Sequence, residues 1–502
     1  MIIEINPAAL SGNIHAPFSK SDAHRILIAA ALSAEPTTLT LSCDSEDIRA
    51  TVRCLEALGA KLIPLESSYR MEPIWNADIS PHPKLDCGES GTTLRLLLPI
   101  VAALGVDAEF IAHGRLPERP LSELTALLNA NGCTFSADKP PFKLSGRLNP
   151  GVYSLPGDVS SQYISGLLFA LPLLDGDSRV ILTTKLESAS YVEMTRQTLV
   201  HFGVSSHCDS SNGNNIFFIK GNQRYISLGS AAVEGDWSNA AFFLTAGALN
   251  HESITINGLS ASSLQGDRAI CELLQRFGAD VTTDGTGRVT VCAGSHIRSR
   301  NAAINCFSSA IDCALSNNCS PTCDCSPVNN SPAETDHFTV AGCFSTGIGE
   351  LCADELRADG FQAPSLRAAE IDVSAVPDLF PVLAVVASVA RGTTRLYNAS
   401  RLRMKESDRL RSVAVMLRGL GADVCELEDE LVINGKPFLT GGTVSGENDH
   451  RIVMAAATAS TVCKNPVTII GAEAINKSYP NFFSDFNALG GNAYVINNGQ
   501  AN

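Results

Sequence analysis

Six amphipathic segments of this chain each end in a glycine and run straight into a strand-like stretch, which restricts the fold to repeated copies of one helix-and-strands unit. They close on Gly59, Gly132, Gly203, Gly278, Gly421 and Gly490, as in Arg53-Cys-Leu-Glu-Ala-Leu-Gly59 and Leu273-Leu-Gln-Arg-Phe-Gly278. A glycine at that place supplies the left-handed residue on which many helices end. The glycines stand 73, 71, 75, 143 and 69 residues apart, so one interval is double the rest. Three units precede Gly235 and three follow it. The expected fold is therefore α/β (α+β) with two domains of three units each. The first domain is expected over 15–233 and the second over 1–14 and 234–502.

The double interval leaves about 71 extra residues between Gly278 and Gly421. Composition locates them at 296–364, where Ser, Asn and Cys are frequent and few periodic apolar residues occur before Phe338. Of the 16 cysteines, seven fall between Cys306 and Cys352, without the paired two-residue spacing of a zinc site. The stretch carries three basic and eight acidic residues, so a flexible surface insertion is expected there rather than a contact with an anionic ligand.

The net charge of -15 excludes nucleic acid and anionic membranes as main partners, because both would be repelled. An anionic small molecule has to be met by cations concentrated locally. Met1-Ile-Ile-Glu-Ile-Asn-Pro7 reads as a first strand and not as a signal peptide, and the longest apolar runs, such as Leu379 to Ala390, are too short to span a bilayer. A cytoplasmic protein with reduced cysteines is expected.

The densest charge is in Arg401-Leu-Arg-Met-Lys-Glu-Ser-Asp-Arg409, four cations and two carboxylates in nine residues. If this is a helix start, Lys405 and Arg409 share a face and Glu406 reaches Arg409. Alone, such a run would read as a solvated helix surface. Other short motifs repeat its chemistry. Lys20-Ser21 and Arg25 follow a capping serine, and Cys87-Gly-Glu-Ser-Gly91-Thr92 is a glycine-containing turn opening an apolar helix, a setting in which bare N–H groups bind anions. Arg115 and Arg119 flank Pro117, two guanidinium groups suited to planar anions, and Ser160-Ser161-Gln162 offers adjacent hydroxyl and amide groups.

Taken in order, Lys20-Ser21 with Arg25, the Gly91-Thr92 turn, Glu118-Arg119-Pro120, Val159-Ser-Ser-Gln162, Ser188 with Tyr191, Glu234-Gly-Asp236, Val376-Pro-Asp378, Lys405-Glu-Ser-Asp-Arg409 and Asp449-His-Arg451 form a recognisable set. The set resembles that of the 5-enolpyruvylshikimate-3-phosphate synthase family of enolpyruvyl transferases. It covers essentially the whole chain apart from the insertion.

The resemblance implies two inside-out α/β barrels of βαβαββ-type units. It also implies transfer of the enolpyruvyl group of phosphoenolpyruvate to the 5-hydroxyl of shikimate 3-phosphate, with release of phosphate, on the way to chorismate and the aromatic amino acids. No metal and no organic cofactor are expected, and a monomer is. Residue by residue, it gives shikimate 3-phosphate to Lys20, Ser21, Arg25, Ser160, Ser161, Gln162, Ser188, Asp378 and Lys405. It gives phosphoenolpyruvate to Lys20, Gly91, Arg119, Gln162, Arg409, Arg451 and Lys477. Asp378 is expected as the base on the hydroxyl. Glu406 and Lys477 are left for proton transfer at the methylene carbon, and Lys20 is also expected in the catalytic set.

Two positions depart from the family pattern: Glu89, where many members have Asn, and Arg401, where Asn or His is common. A carboxylate at Glu89 is expected to weaken phosphoenolpyruvate binding unless Arg95 or Arg119 neutralises it. The related transferase acting on UDP-N-acetylglucosamine is an alternative, but it normally carries a cysteine in a loop that here, from Gly114 to Leu124, has none. A catalytically dead relative serving as a binding protein is the other, against which stand Lys20, Arg119, Asp378, Glu406, Arg409 and Lys477. Two cationic walls facing each other are expected to hold the empty cleft open, hinged near Ile14 to Phe18 and Val233 to Asp236.

Overall fold

The structure, a computed structural model, describes residues 1–76, 80–210, 215–294 and 366–496. The expected insertion at 296–364 lies outside them. Twelve α-helices among the described residues fall into pairs, one pair per unit: α1 (Lys20–Leu32) with α2 (Glu46–Ala57), α3 (Gly91–Leu104) with α4 (Ser122–Ala130), α5 (Ser161–Ala170) with α6 (Ala189–His201), α7 (Trp237–Leu249) with α8 (Ile270–Phe277), α9 (Phe380–Val389) with α10 (Arg409–Gly419), and α11 (His450–Ser460) with α12 (Phe482–Ala488).

The two helices of a pair differ for a reason visible in their sequences. The first is apolar nearly all round, as in Phe-Pro-Val-Leu-Ala-Val-Val-Ala-Ser-Val of α9, every residue of which is buried. A helix without a polar face has to be enclosed on all sides. The second is amphipathic and lies outside, as α8 does with Ile270, Leu273, Leu274 and Phe277 inward. All six repeat glycines follow these outer helices, with φ between 75° and 105°, where a side chain would be strained.

Six four-stranded sheets share one order. In the second unit, Lys84–Asp86 lies parallel to Ala108–Ile111, which pairs antiparallel with Phe142–Gly146 and through it with Cys133–Phe135. The chain therefore runs strand, helix, strand, helix, strand, strand in each unit. The N-terminal strand Ile2–Asn6 completes the sixth sheet between Val467–Ile470 and Asn492–Val495. The doubled glycine interval arises between the strands Val289–Cys292 and Glu370–Asp372, where the equivalent connection elsewhere, such as Gly146 to Val152, is a few residues long.

Buried apolar side chains form two clusters, one from Ala23 to Val233, the other joining Ile3, Ile5, Leu10 and Ile14 to the residues from Trp237 to Leu489. The halves exchange one strand each. Gly12–His15, which precedes α1, pairs in the second half with Ile254–Asn257, and Ser230–Ala232, which precedes α7, pairs in the first half with Thr37–Thr40. The two chain crossings are consequently neighbours. Phe18 bridges to Gly235, Ser19 N–H donates to the Glu234 carbonyl and Asp236 N–H to the Pro17 carbonyl, both at 2.8 Å. No helix among the described residues is long and apolar enough to cross a membrane.

Gly235 leaves no room at the crossing, since a Cβ there would collide with the Gly258 carbonyl oxygen and sit 3.1 Å from Ala16 Cβ. The nearer neighbour is a backbone atom and cannot yield cheaply. Gly235→Ala is expected to lower unfolding free energy by about 1–3 kcal/mol in urea titration; an unchanged midpoint would mean that the crossing is not tightly packed.

Candidate active site

The starts of α1, α3, α5 and α11, with Asp378 just before α9, meet at one cleft between the halves. The first turn of a helix has free N–H groups, and side chains satisfy some of them here: Ser90 Oγ accepts from Thr93 N at 3.2 Å, Ser160 Oγ from Gln162 N at 3.3 Å and Asp449 Oδ1 from Arg451 N at 3.0 Å. Of the residues expected from sequence, Lys20, Ser21, Arg25, Arg119, Ser160, Ser161, Gln162, Ser188, Asp378, Lys405, Glu406 and Arg451 line this cleft together. Gly91 lies against it, where a Cβ would stand 2.5 Å from Arg95 Nη1 and 2.9 Å from Arg119 Nη1. Arg409 lies beneath the surface, and Lys477 meets Glu89 at one edge.

The first half supplies clamped cations. Arg25, on the buried face of α1, donates through Nε to Thr195 Oγ1 at 2.9 Å and through its terminal nitrogens to the Ser21 and Tyr191 carbonyls. Arg95 donates to Gln162 Oε1 at 3.1 Å and to the Pro120 carbonyl at 2.9 Å, while Gln162 Nε2 donates to Thr92 Oγ1 at 2.8 Å. Burial lowers both guanidinium groups to about 10, with Arg119 adding like-charge repulsion on Arg95. Lys20 Nζ is 2.8 Å from Asp47 Oδ2.

The second half supplies acids held by one arginine. Arg409, with a side chain 1% exposed, donates to Asp449 Oδ2 at 3.0 Å, Asp378 Oδ1 at 2.8 Å and Glu406 Oε2 at 2.5 Å. Arg451 Nη2 lies 3.3 Å from Asp378 Oδ2. Burial alone would raise both carboxyls, but Arg451, Lys405 and Arg409 pull Asp378 far below the usual range, and Arg409 and Arg119 do the same to Glu406. Burial lowers Lys405 to about 8, against the opposing pull of Asp378. Burial, Lys20 and Arg451 keep His450 neutral, so its 4.0 Å approach to Asp449 is not an ion pair.

Three expectations need correction. Lys405 and Glu406 are not on a helix face: a 3-10 turn, Ser400–Met404, ends before them, and Asp408 caps α10 by accepting from Arg411 N, so the helix begins only at Arg409. Glu89 is neutralised from the other half, by Lys477 Nζ at 2.8 Å and by Asn448 Nδ2 at 3.0 Å, and by neither Arg95 nor Arg119. The facing walls are not both cationic, because acids alternate with bases across the cleft. Besides Glu89 with Lys477, Arg401 pairs with Glu187, Arg119 approaches Glu406 to 3.7 Å, and the Tyr191 hydroxyl donates towards Asp378 at 3.0 Å.

Arg95 was not expected in the site. Its signal is a lone charge inside Gly-Thr-Thr-Leu-Arg-Leu-Leu-Leu-Pro of an enclosed helix, where an unpaired cation would be very unfavourable. Tyr191 was visible as part of a motif but without a role. Asp449 likewise stood in a motif without a role of its own, and Asp267 gave no signal, since its partners Tyr191 and Asp378 lie far away in sequence.

A family model described as EPSP synthase (3-phosphoshikimate 1-carboxyvinyltransferase) matches residues 5–320 and 350–486. A 3-phosphoshikimate 1-carboxyvinyltransferase of Clostridium kluyveri is 38% identical over 491 residues, covering 97% of each chain. One of Clostridium acetobutylicum is 37% identical, covering 98% of each. Among solved structures, EPSP synthase from Acinetobacter baumannii superposes with a TM-score of 0.70 at 22% identity over 98% of this chain and all of that one. The enolpyruvyl transferase NikO from Streptomyces tendae gives 0.67 at 15% identity, over 98% of each.

Because cross-cleft pairs hold the halves together, the variant Glu89→Gln/Glu187→Gln is expected to have a larger radius of gyration than the parent protein in X-ray scattering. The pairs are partly exposed, so the combined loss is only about 1 kcal/mol. Identical radii would show that the pairs do not hold the cleft.

Proposed function

The chain belongs to the EPSP synthase family, the 3-phosphoshikimate 1-carboxyvinyltransferases, and from that premise we propose how its own residues carry out the reaction. The enzyme transfers the enolpyruvyl group of phosphoenolpyruvate to the 5-hydroxyl of shikimate 3-phosphate and releases phosphate. The observation that carries the residue assignment is the meeting, in one cleft, of helix starts and cations from both halves around two carboxylates.

The substrates together bring about six negative charges to a protein that is itself acidic, so they have to be bound by a locally focused field. Shikimate 3-phosphate is held by Lys20, Ser21, Arg25, Ser160, Ser161, Gln162, Ser188, Asp378 and Lys405. Phosphoenolpyruvate is held by Lys20, the N–H groups beside Gly91, Arg119, Gln162, Arg451 and Lys477. Arg409 joins them: Asp378, Glu406 and Asp449 take four of its five N–H groups, and the second hydrogen on Nη1 remains for phosphoenolpyruvate.

Asp378 takes the proton of the 5-hydroxyl as its oxygen bonds to the enol carbon, and a proton is delivered to the methylene carbon from the Glu406 and Lys477 side. Loss of that proton and cleavage of the bond to phosphate then give the product. The surrounding cations make Asp378 a weak base and keep Glu406 ionised. Substrate anions settling against Arg451, Lys405 and Arg119 offset those cations and raise the basicity of both acids. The substrates thereby prepare their own acid and base.

A monomeric enzyme with domains 15–233 and 1–14 with 234–502 is part of the same reading, the domain bounds resting on the two separate apolar cores. Cys43, Cys54, Cys87, Cys133, Cys208, Cys271 and Cys425 are thiols, in keeping with a reducing, cytoplasmic setting.

Purified protein should release phosphate only when both substrates are supplied. Asp378→Asn and Glu406→Gln should each lower turnover by about a hundredfold or more while still binding shikimate 3-phosphate, since loss of a general acid or base typically costs roughly 10² to 10⁴. Wild-type turnover in either variant would remove that residue from its role. A separate expectation concerns Lys405: its charged form binds the anion, so the Kd for shikimate 3-phosphate should rise as pH increases through about 8. The rise should be absent in Lys405→Arg, whose charge persists. A Kd that does not change with pH in the parent protein would contradict the part given to Lys405.

A further inference from the structure

We propose that Asp267, acting through the phenol of Tyr191, positions the Asp378 carboxylate by standing as a protonated acid. Asp267 is 3% exposed, on the 3-10 turn Gly266–Ala269 of the second half, and Tyr191 belongs to α6 of the first. The Tyr191 oxygen is 3.2 Å from Asp267 Oδ2 and 3.0 Å from Asp378 Oδ2. A phenol has one hydrogen and can donate to only one of them. The other contact is attractive only if a carboxyl carries a proton and donates it to the phenol oxygen; otherwise lone pairs face each other in a buried site.

The surroundings decide which carboxyl that is. Asp378 accepts from Arg409 Nη1 at 2.8 Å and lies 3.3 Å from Arg451 Nη2, which holds it ionised. Asp267 has no ion pair among the described residues. The groups facing it are Asp378 before α9, Arg451 on α11, Asp236 and the Ser238 hydroxyl on α7, and Tyr191 on α6. Burial and the like charge of Asp378 raise Asp267 to about 7, with Arg451 and Ser238 opposing. Burial, with Asp267 and Asp378, keeps the Tyr191 phenol protonated.

The hydrogen bonds therefore run from Asp267 to Tyr191 to Asp378 and join the two halves next to the reacting hydroxyl. When Asp267 ionises, two carboxylates compete for one hydrogen and Asp378 loses its fixed donor. Asp267 touches neither substrate; it is a positioning residue for the base. The inference rests on the assignment of Asp378 as that base.

The test compares Asp267→Asn, which keeps an N–H donor but cannot ionise, with Asp267→Leu, which has neither. Asp267→Leu should lower kcat at least about tenfold with little change in KM, and Asp267→Asn should recover most of that loss, a split typical of general-base geometry. The parent enzyme should lose turnover as pH rises through about 7, and Asp267→Asn should lack this limb. Titration of Lys405 is common to both proteins, so only the difference between their profiles counts. Superimposable profiles, or equal impairment of the two variants, would overturn the proposal.

Infrared spectra read the proton without turnover. At pH 6 the parent protein should show the carbonyl band of a protonated carboxylic acid that is absent in Asp267→Asn, and failure to find it would equally overturn the proposal. This measurement stands even if Asp267→Leu does not fold. It also separates the two assignments: full turnover in Asp378→Asn would remove the base, whereas the infrared band reports only on Asp267.

Discussion

The constraint on which this molecule depends is the enclosure of its first helices. A helix such as α11, buried at every residue from His450 to Ser460, contributes contact on all sides but leaves the N–H groups of its first turn without partners inside the helix. Each such end carries roughly half a positive charge. Grouping such ends at one cleft, with Ser90, Ser160 and Asp449 as caps, satisfies part of the requirement and leaves the remainder for anions. The same packing that builds the cores thus builds the binding site, and a chain of net charge -15 can hold two polyanions.

Balance of charge governs the chemistry in turn. Arg409 grips Asp378, Glu406 and Asp449 together, and the cations around Asp378 and Glu406 lower the basicity of both; in the proposed mechanism substrate anions offset those cations. Acids facing bases across the cleft, as in Glu89 with Lys477 and Arg401 with Glu187, bring the halves together without a ligand. The strand exchange beside Phe18 and Gly235 keeps the two chain crossings side by side.

Much of the fold was legible because its signals are local. Gly59, Gly132 and their four counterparts mark the end of each outer helix, and every one adopts the left-handed conformation that the count of units relied on. The family likewise followed from short motifs at helix starts, where capping and anion binding demand particular side chains within a few residues. What stayed hidden depends on partners distant in the chain. Assigning 1–14 to the second half was possible, but nothing near Gly12–His15 names Ile254–Asn257 as the strand it pairs with. The partner of Glu89 lies 388 residues away at Lys477, and local sequence pointed instead to Arg95 and Arg119. Lys405 and Glu406 were misread as helical because their spacing suits a helix, while Asp408, by capping, moves the start to Arg409.

The central claim, that enclosed helix ends and a few cations form the anion site, is tested most directly by diffraction from crystals grown with shikimate 3-phosphate. The account places the ligand in the cleft, its anionic groups within about 3 Å of donors at the starts of α1 and α5 and of Arg25 and Lys405. Density for the ligand on the outer helices or on the exposed sheet faces, with the helix starts empty, would contradict it.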